Sequence, residues 1–181
     1  AIADDQTMSR HVLIEAIERN ADDIRFCIVA DDGLELIEKL RRTEIFPHVC
    51  MLDINMPVLN GYETLTTIRK EWPKLQVLAF SMHDHELAVL NMFRRGATGF
   101  VLKYGHPSIV IDALRNMHYN GYYHSELVNR TINRDDILPH INDKELEFLK
   151  FCCLDLNYFQ IAQKMGLSKR TIEWYRVHWV K

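Results

Sequence analysis

Val49-Cys50-Met51-Leu52-Asp53-Ile54-Asn55-Met56-Pro57-Val58-Leu59-Asn60-Gly61 passes from an apolar run, through a carboxylate, into a turn marked by Pro and Gly. The run Val49 to Leu52 is short and bounded by turn residues, which reads as a buried parallel strand. A carboxylate at the tip of such a strand costs on the order of several kcal/mol unless a metal or a cation compensates it. Three other strand-like segments also end in chemically useful residues. Ala1-Ile2-Ala3 leads into Asp4-Asp5, Leu75-Gln76-Val77-Leu78-Ala79-Phe80 into Ser81, and Gly99-Phe100-Val101-Leu102 into Lys103. In an open α/β sheet the chemistry sits just outside the carboxyl ends of the strands. Four strand ends therefore deliver acids, a hydroxyl and an amine to one place.

Helical stretches fill the intervals between these strands. Met8, Val12, Leu13, Ala16 and Ile17 form an apolar stripe at helical spacing. A second helix follows Gly33 from Leu34 to Leu40, and a third runs from Tyr62 to Glu71 before Trp72-Pro73. Asp84 to Arg95 is a fourth, stopped by Gly96, with Arg94-Arg95 suiting the dipole of its last turn. Pro107 opens a fifth that reaches about Tyr119. Helices alternating with short apolar strands call for a parallel sheet. His83 and His85, at an exposed helix start, read as surface residues rather than metal ligands.

The alternation stops past Asn120-Gly121. Residues 121–140 hold one short helical candidate, Ser125 to Ile132, then Asn133-Arg134-Asp135-Asp136 and Leu138-Pro139, which is linker chemistry. From Ile141 onward the pattern is helical. Asn142 with Glu145 makes a capping-box arrangement for a helix to about Leu154. Asn157 caps Tyr158 to Met165, which Gly166 ends, and Ser168 caps Lys169 to Lys181. A helix, a Gly-containing turn and a helix, with Ile161, Ala162 and Leu167 facing inward, is a helix-turn-helix signature.

Composition suits a globular chain of one large or two small domains: 181 residues, 48% of them apolar. Cys27, Cys50, Cys152 and Cys153 form no C-x-x-C pair and read as buried free thiols of a reducing compartment. No apolar run approaches the ~18 residues of a membrane span, and no signal-peptide pattern opens the chain, so the cytoplasm is the expected location. Residues 141–181 carry seven Lys/Arg against five Asp/Glu, a net of +2 in a chain of net −3. That asymmetry has the sign expected of a nucleic-acid-binding end but is small.

Residues 1 to about 120 closely resemble the receiver domain of two-component response regulators. The resemblance rests on Asp4-Asp5, the D-x-x-M-P-x-x-x-G stretch from Asp53 to Gly61, Ser81 before Met82-His83-Asp84, and G-F-V-L-K ending at Lys103. The stretches I-N-D-K-E-L-E-F-L-K and I-A-Q-K-M-G-L-S-K-R-T-I in turn resemble the LuxR-type output domain, and the pairing is that of the NarL/FixJ subfamily. The implied fold is a doubly wound parallel (βα)5 receiver of flavodoxin-like order over residues 1–120. A linker at 121–140 and a small all-α helix-turn-helix domain at 141–181 follow it.

The resemblance also implies a function and its residues. Asp53 accepts a phosphoryl group from a sensor histidine kinase, and the chain is a regulator rather than an enzyme, beyond self-catalysed acceptance and dephosphorylation. Mg2+ is held by Asp5, Asp53 and the Asn55 backbone carbonyl, with Asp4 acting through water. Lys103 and Ser81 contact the phosphoryl group, and Ser81 works with Phe100 as the switch. Phe100 stands where a Tyr is often found; lacking a hydroxyl, it is expected to populate its inward rotamer even without phosphate. Promoter DNA is met by Lys169, Arg170, Thr171, Glu173 and Arg176, in a homodimer formed on phosphorylation.

Two departures stand out. Glu173 occupies the place of a Lys that usually faces DNA, and a carboxylate there either accepts from cytosine N4 or weakens phosphate attraction. The first strand is also short, so a few residues are expected to be missing before it. The chain ends in or just after the recognition helix, without the fourth helix that commonly carries dimerisation in this family; this is expected to reflect an incomplete chain rather than a defective output. Two rivals remain at this point. One is a receiver serving as phosphoryl sink or protein-interaction switch with a non-functional output. The other is a phosphohydrolase of the haloacid dehalogenase type, which is disfavoured because Asn55 stands where that chemistry places an acid.

Overall fold

The computed structural model describes residues 1–82, 86–132, 143–152 and 156–179. The chain divides into two units, Ala1–Asn129 and Arg130–Lys181. In the first, five strands, β1 (Ile2–Ala3), β2 (Val29–Ala30), β3 (Val49–Asp53), β4 (Gln76–Ser81) and β5 (Gly99–Leu102), form one sheet in the order β2-β1-β3-β4-β5. All its pairings are parallel. The central strands are apolar without alternation because both faces are covered: Cys50, Met51 and Leu52 of β3 and Val77, Leu78 and Ala79 of β4 are fully buried. The covering helices are α1 (Thr7–Asn20), α2 (Gly33–Arg42), α3 (Gly61–Glu71), α4 (Glu86–Arg94) and α5 (Pro107–Asn120). The expected doubly wound parallel sheet is therefore present, and its strand order reverses direction between β1 and β3.

Local chemistry explains most helix ends. Asp32 and Asn60 cap α2 and α3 by accepting from the Glu35 and Glu63 N–H groups at 2.9 and 3.0 Å. Pro107 stands in the first turn of α5, and Gly121, left-handed at φ 85°, closes it by donating to Met117 O. Helix α4 is described from Glu86; the expected start at Asp84, with His83 and His85 beside it, lies outside the described residues.

Two expectations are corrected. The apolar face of α1 was expected to include Met8 and Val12, yet these are 81% and 64% exposed. The buried face carries Arg10 and Ile17, with Leu13 and Ile14 packed on the core between them. Arg10 takes the inward position because its guanidinium has partners there: it donates to the carbonyl oxygens of Asp4 and Ala30 and pairs with Asp31. Among the cysteines, Cys27 is exposed rather than buried, since the adjacent Ile28 takes the core position. Cys50 is buried, which pushes its thiol up to about 11. Cys152 is half-buried, and Cys153 lies outside the described residues.

The first unit runs past the expected boundary at residue 120 because the chain returns to the sheet edge. Tyr123 N–H donates to Thr98 O at 2.9 Å, and Val128, on α6 (Glu126–Ile132), is fully buried. Residues 133–142, including Asn142 of the expected capping box, lie outside the described residues. The second unit holds α7 (Asp143–Cys152), α8 (Tyr158–Met165) and α9 (Lys169–Trp179). Asn157 caps α8 as expected, and Gln160 reciprocates by accepting from the Asn157 N–H, which completes a capping box. Gly166, at φ 60°, makes the turn to α9, and Phe148, Ile161, Ala162, Ile172 and Tyr175 form the core. Among the described residues no helix is long and apolar enough to cross a membrane.

Val58 has φ 62°, the left-handed region that a β-branched side chain disfavours, and its side chain is exposed. Left-handed backbone costs a residue with a Cβ about 1–2 kcal/mol, and glycine gives back about 0.5–1 kcal/mol in unfolded-chain entropy. Val58→Gly is therefore expected to stabilise the first unit by roughly 0.5–1 kcal/mol, read as a higher midpoint in urea unfolding. An unchanged or lower midpoint contradicts the strain at this position.

Candidate active site

The carboxyl ends of β1 and β3 flank the point where the strand order reverses, and an acidic pocket forms there. Asp53 is the last residue of β3, paired with Phe80 of β4, and Asp4 follows β1 directly. Carboxylate oxygens of Asp4, Asp5 and Asp53 all lie within 4.8 Å of one another. Asp4 and Asp53 are buried and Asp5 is exposed, so the group opens to solvent on the Asp5 side.

One cation holds the two buried acids together. Lys103 follows β5, and its N–H donates to Ser81 O at 2.8 Å. Its ammonium donates to Asp53 Oδ2 at 2.7 Å and lies 2.8 Å from Asp4 Oδ2, over the Phe80 ring. The second approach is an ion pair without hydrogen-bond alignment, and Asp4 Oδ2 is left without a hydrogen-bond partner. The remaining oxygens are met by backbone: Asp4 Oδ1 accepts from Gln6 N–H at 2.8 Å and Asp53 Oδ1 from Asn55 N–H at 3.3 Å. Burial pushes the Asp53 carboxyl above the ordinary carboxylate range; the Lys103 hydrogen bond and charge pull it back only in part.

Gly61 sets the position of Asp53. A Cβ at residue 61 would lie 2.2 Å from Asp53 O and 2.8 Å from Ile54 Cα, so the first turn of α3 rests directly on the strand end. Gly61 N–H also donates to Ile54 O at 2.9 Å, closing the loop from Asp53. Nothing in a lone Gly announces that contact; the signal was its place eight positions after the acid.

The other expected site residues fall in three places. Ser81 ends β4, paired with Leu102 beside Lys103, and is 1% exposed, so it belongs to the strand rather than to the following loop. Phe100 is paired with Ala79 of β4 and its ring is fully enclosed. In the second unit Lys169, Arg170, Thr171, Glu173 and Arg176 all lie on α9, with Lys169, Arg170 and Glu173 exposed and Thr171 half-buried. Ser168 Oγ accepts from Thr171 N–H at 3.2 Å, capping the helix as expected. Arg10, the buried strut behind Asp4, was missed because an arginine among polar neighbours gives no apolar signal.

Comparison with known proteins follows the same lines. The model of the response regulator receiver domain matches residues 1–115. The nitrate/nitrite response regulator protein NarL of Escherichia coli K12 is 28% identical over 161 residues, covering 83% of this chain and 72% of that protein. The oxygen regulatory protein NreC of Staphylococcus carnosus is 27% identical over 191 residues, covering 98% and 87%. Among solved structures, RcsB of Salmonella enterica serovar Typhimurium, bound to promoter rprA with the phosphomimetic BeF3-, superposes with a TM-score of 0.75. At 22% identity, over 98% of this chain and 87% of RcsB, it shows a common fold.

The raised carboxyl of Asp53 has a measurable consequence. A folded-state value above the unfolded one contributes stability that is present below the ordinary range and lost as pH rises through the raised value. At pH 7 without divalent metal, Asp53→Asn is therefore expected to raise the thermal midpoint of the first unit, with the gain shrinking toward pH 4. A variant less stable than the parent at pH 7 shows instead that Lys103 more than offsets the burial.

Proposed function

Because this chain belongs to the response regulator receiver family, we propose that Asp53 is the phosphoacceptor through which a sensor histidine kinase governs its transcriptional output. The single observation that carries this reading is the meeting of Asp53, Asp4, Asp5 and Lys103 at one switch point of the sheet. A carboxylate oxygen of Asp53 attacks the phosphorus of a phosphohistidine. As the new P–O bond forms the P–N bond breaks, and the released imidazole takes a proton from solvent. Such transfer is mostly positioning and charge neutralisation, which is what this pocket offers.

The donor set suits a hard divalent cation. It is all oxygen, three carboxylates lie within 4.8 Å, and one buried Asp4 oxygen has no hydrogen-bond partner. We assign Asp5, Asp53 and the Asn55 backbone carbonyl to Mg2+ directly, and Asp4 through water. Bound there, Mg2+ supplies neutralisation of charge on the phosphoryl oxygens. Lys103, which already faces both buried acids, hands one contact to a phosphoryl oxygen, and the Ser81 hydroxyl takes another. The enclosed Phe100 ring supports a switch that rests inward before phosphorylation, so less than the about 5.5 kcal/mol of a full 1:99 to 99:1 population swing is required.

The output reading divides the chain into a receiver at 1–120, extended by residues 121–129 that pack on it, a linker reaching to residue 140, and a helix-turn-helix domain at 141–181. Lys169, Arg170, Thr171, Glu173 and Arg176 of α9 face promoter DNA, in a homodimer formed on phosphorylation. NarL and NreC, both regulators by name, span most of this chain, which supports that assignment. Cytoplasmic location agrees with the free thiols.

Acetyl phosphate with Mg2+ is expected to label the wild type and not Asp53→Asn, as read by intact-mass spectrometry; an undiminished adduct on the variant removes the assignment. Metal binding has its own test. Asp5→Ala is expected to weaken Mg2+ in a titration by tenfold or more, on the order of 1.4 kcal/mol, and Asp4→Ala less. Because protons compete for a carboxyl raised by burial, Mg2+ affinity of the wild type should fall on acidification before an ordinary carboxylate would titrate. Equal affinities for all three proteins would refute the pocket as a metal site.

A further inference from the structure

Four aromatic rings touch in sequence across the second unit. Phe148, fully buried, lies 6.4 Å from Tyr158 and 5.3 Å from Tyr175, and Tyr175 meets Trp174 edge-on at 5.5 Å. From Phe148 in the core the series reaches the surface of α9, where Trp174 is 50% exposed. Ile172 and Tyr175 face inward, whereas Lys169, Arg170, Glu173 and Trp174 are exposed and, at helical spacing, share the outer stripe. The two cations at the start of that stripe suit phosphates, which position a protein without reading sequence. Neither residue further along does. A carboxylate is repelled by phosphate, and an indole offers it little beyond one N–H. Both find partners on base edges in the major groove: cytosine N4 donates to a carboxylate, and the thymine C5-methyl group takes apolar contact.

Resting on the DNA-binding reading above, we infer that Trp174 is a specificity-determining residue that recognises the C5-methyl group of a thymine, beside a base whose amine Glu173 accepts. The contact is prepared in advance. Tyr175, 7% exposed and tilted against Phe148, braces the indole edge, so little rotamer freedom is left to lose on binding. The net charge of only +2 over residues 141–181 limits sequence-independent attraction, which raises the weight of each base contact.

The test uses the whole chain, treated with beryllofluoride and Mg2+, to select duplexes from a random DNA pool. Each thymine of the selected duplex is then replaced singly by uracil, which lacks only the methyl group. Wild type is expected to lose about fourfold in affinity at one thymine per half-site, the worth of one buried methyl group. Trp174→Ala should bind the thymine and uracil forms alike, and Trp174→Phe should keep part of the preference. The uracil scan reads the unaltered protein, so an unfolded variant cannot decide the outcome. No uracil-sensitive position, or a Trp174→Ala variant that still discriminates, overturns the inference while leaving DNA binding intact. A wild type that enriches no sequence and binds no duplex removes the DNA-binding reading, and the inference with it.

Discussion

Two carboxylates buried side by side repel each other and have lost their water, and the Lys103 ammonium is what makes their burial tolerable. It reaches both Asp4 and Asp53 within 2.8 Å. Much of the first unit is arranged so that this triangle closes. Parallel pairing brings the ends of β1, β3 and β5 to one edge of the sheet, and the reversal of strand order opens the gap into which the acids project. The triangle is under-satisfied: Asp4 Oδ2 has an ion pair but no aligned donor, and Asp53 stays above the usual carboxylate range despite the lysine. A site left short of positive charge is suited to receive a cation and then a group with several acceptor oxygens.

The scaffold holds that shortfall in place through close backbone packing. Gly61 lets α3 rest on the carbonyl of Asp53, and Gly33 N–H donates to Leu59 O at 3.2 Å, joining α2 to the same loop. A loop pinned at both ends keeps the acid from relaxing into solvent. The strained Val58 sits within it, in the kind of place where local backbone cost collects around functional groups.

The sheet, the acidic pocket and the two-unit division were legible in the sequence because each leaves a local mark. Unbroken apolar runs read as doubly covered strands, and acids or a lysine at their ends read as a site. What could not be read depended on distant partners. Met8 and Val12 carried the stronger apolar signal on α1, but the face was decided by Arg10, whose acceptors are supplied by strands β1 and β2. Cys27 looked buried by its neighbours, and the core position went to Ile28. Residues 121–129 had linker composition, yet Tyr123 hydrogen-bonds to the strand edge. The enclosure of Phe100 followed from its strand.

The lengths of the strands give the sheet a soft side and a stiff side. β2 is two residues long, against five and six for β3 and β4, so its ladder contains few hydrogen bonds. Arg10 makes up part of that deficit by fastening the tips of β1 and β2 with its side chain. Amide exchange should therefore be fastest on the β2 edge and slowest along β3 and β4. Asp31, which pairs with Arg10, hangs from the softer edge and Asp53 from the stiff centre. The edge can thus open without moving the Asp53 carboxyl, which stays where the core puts it.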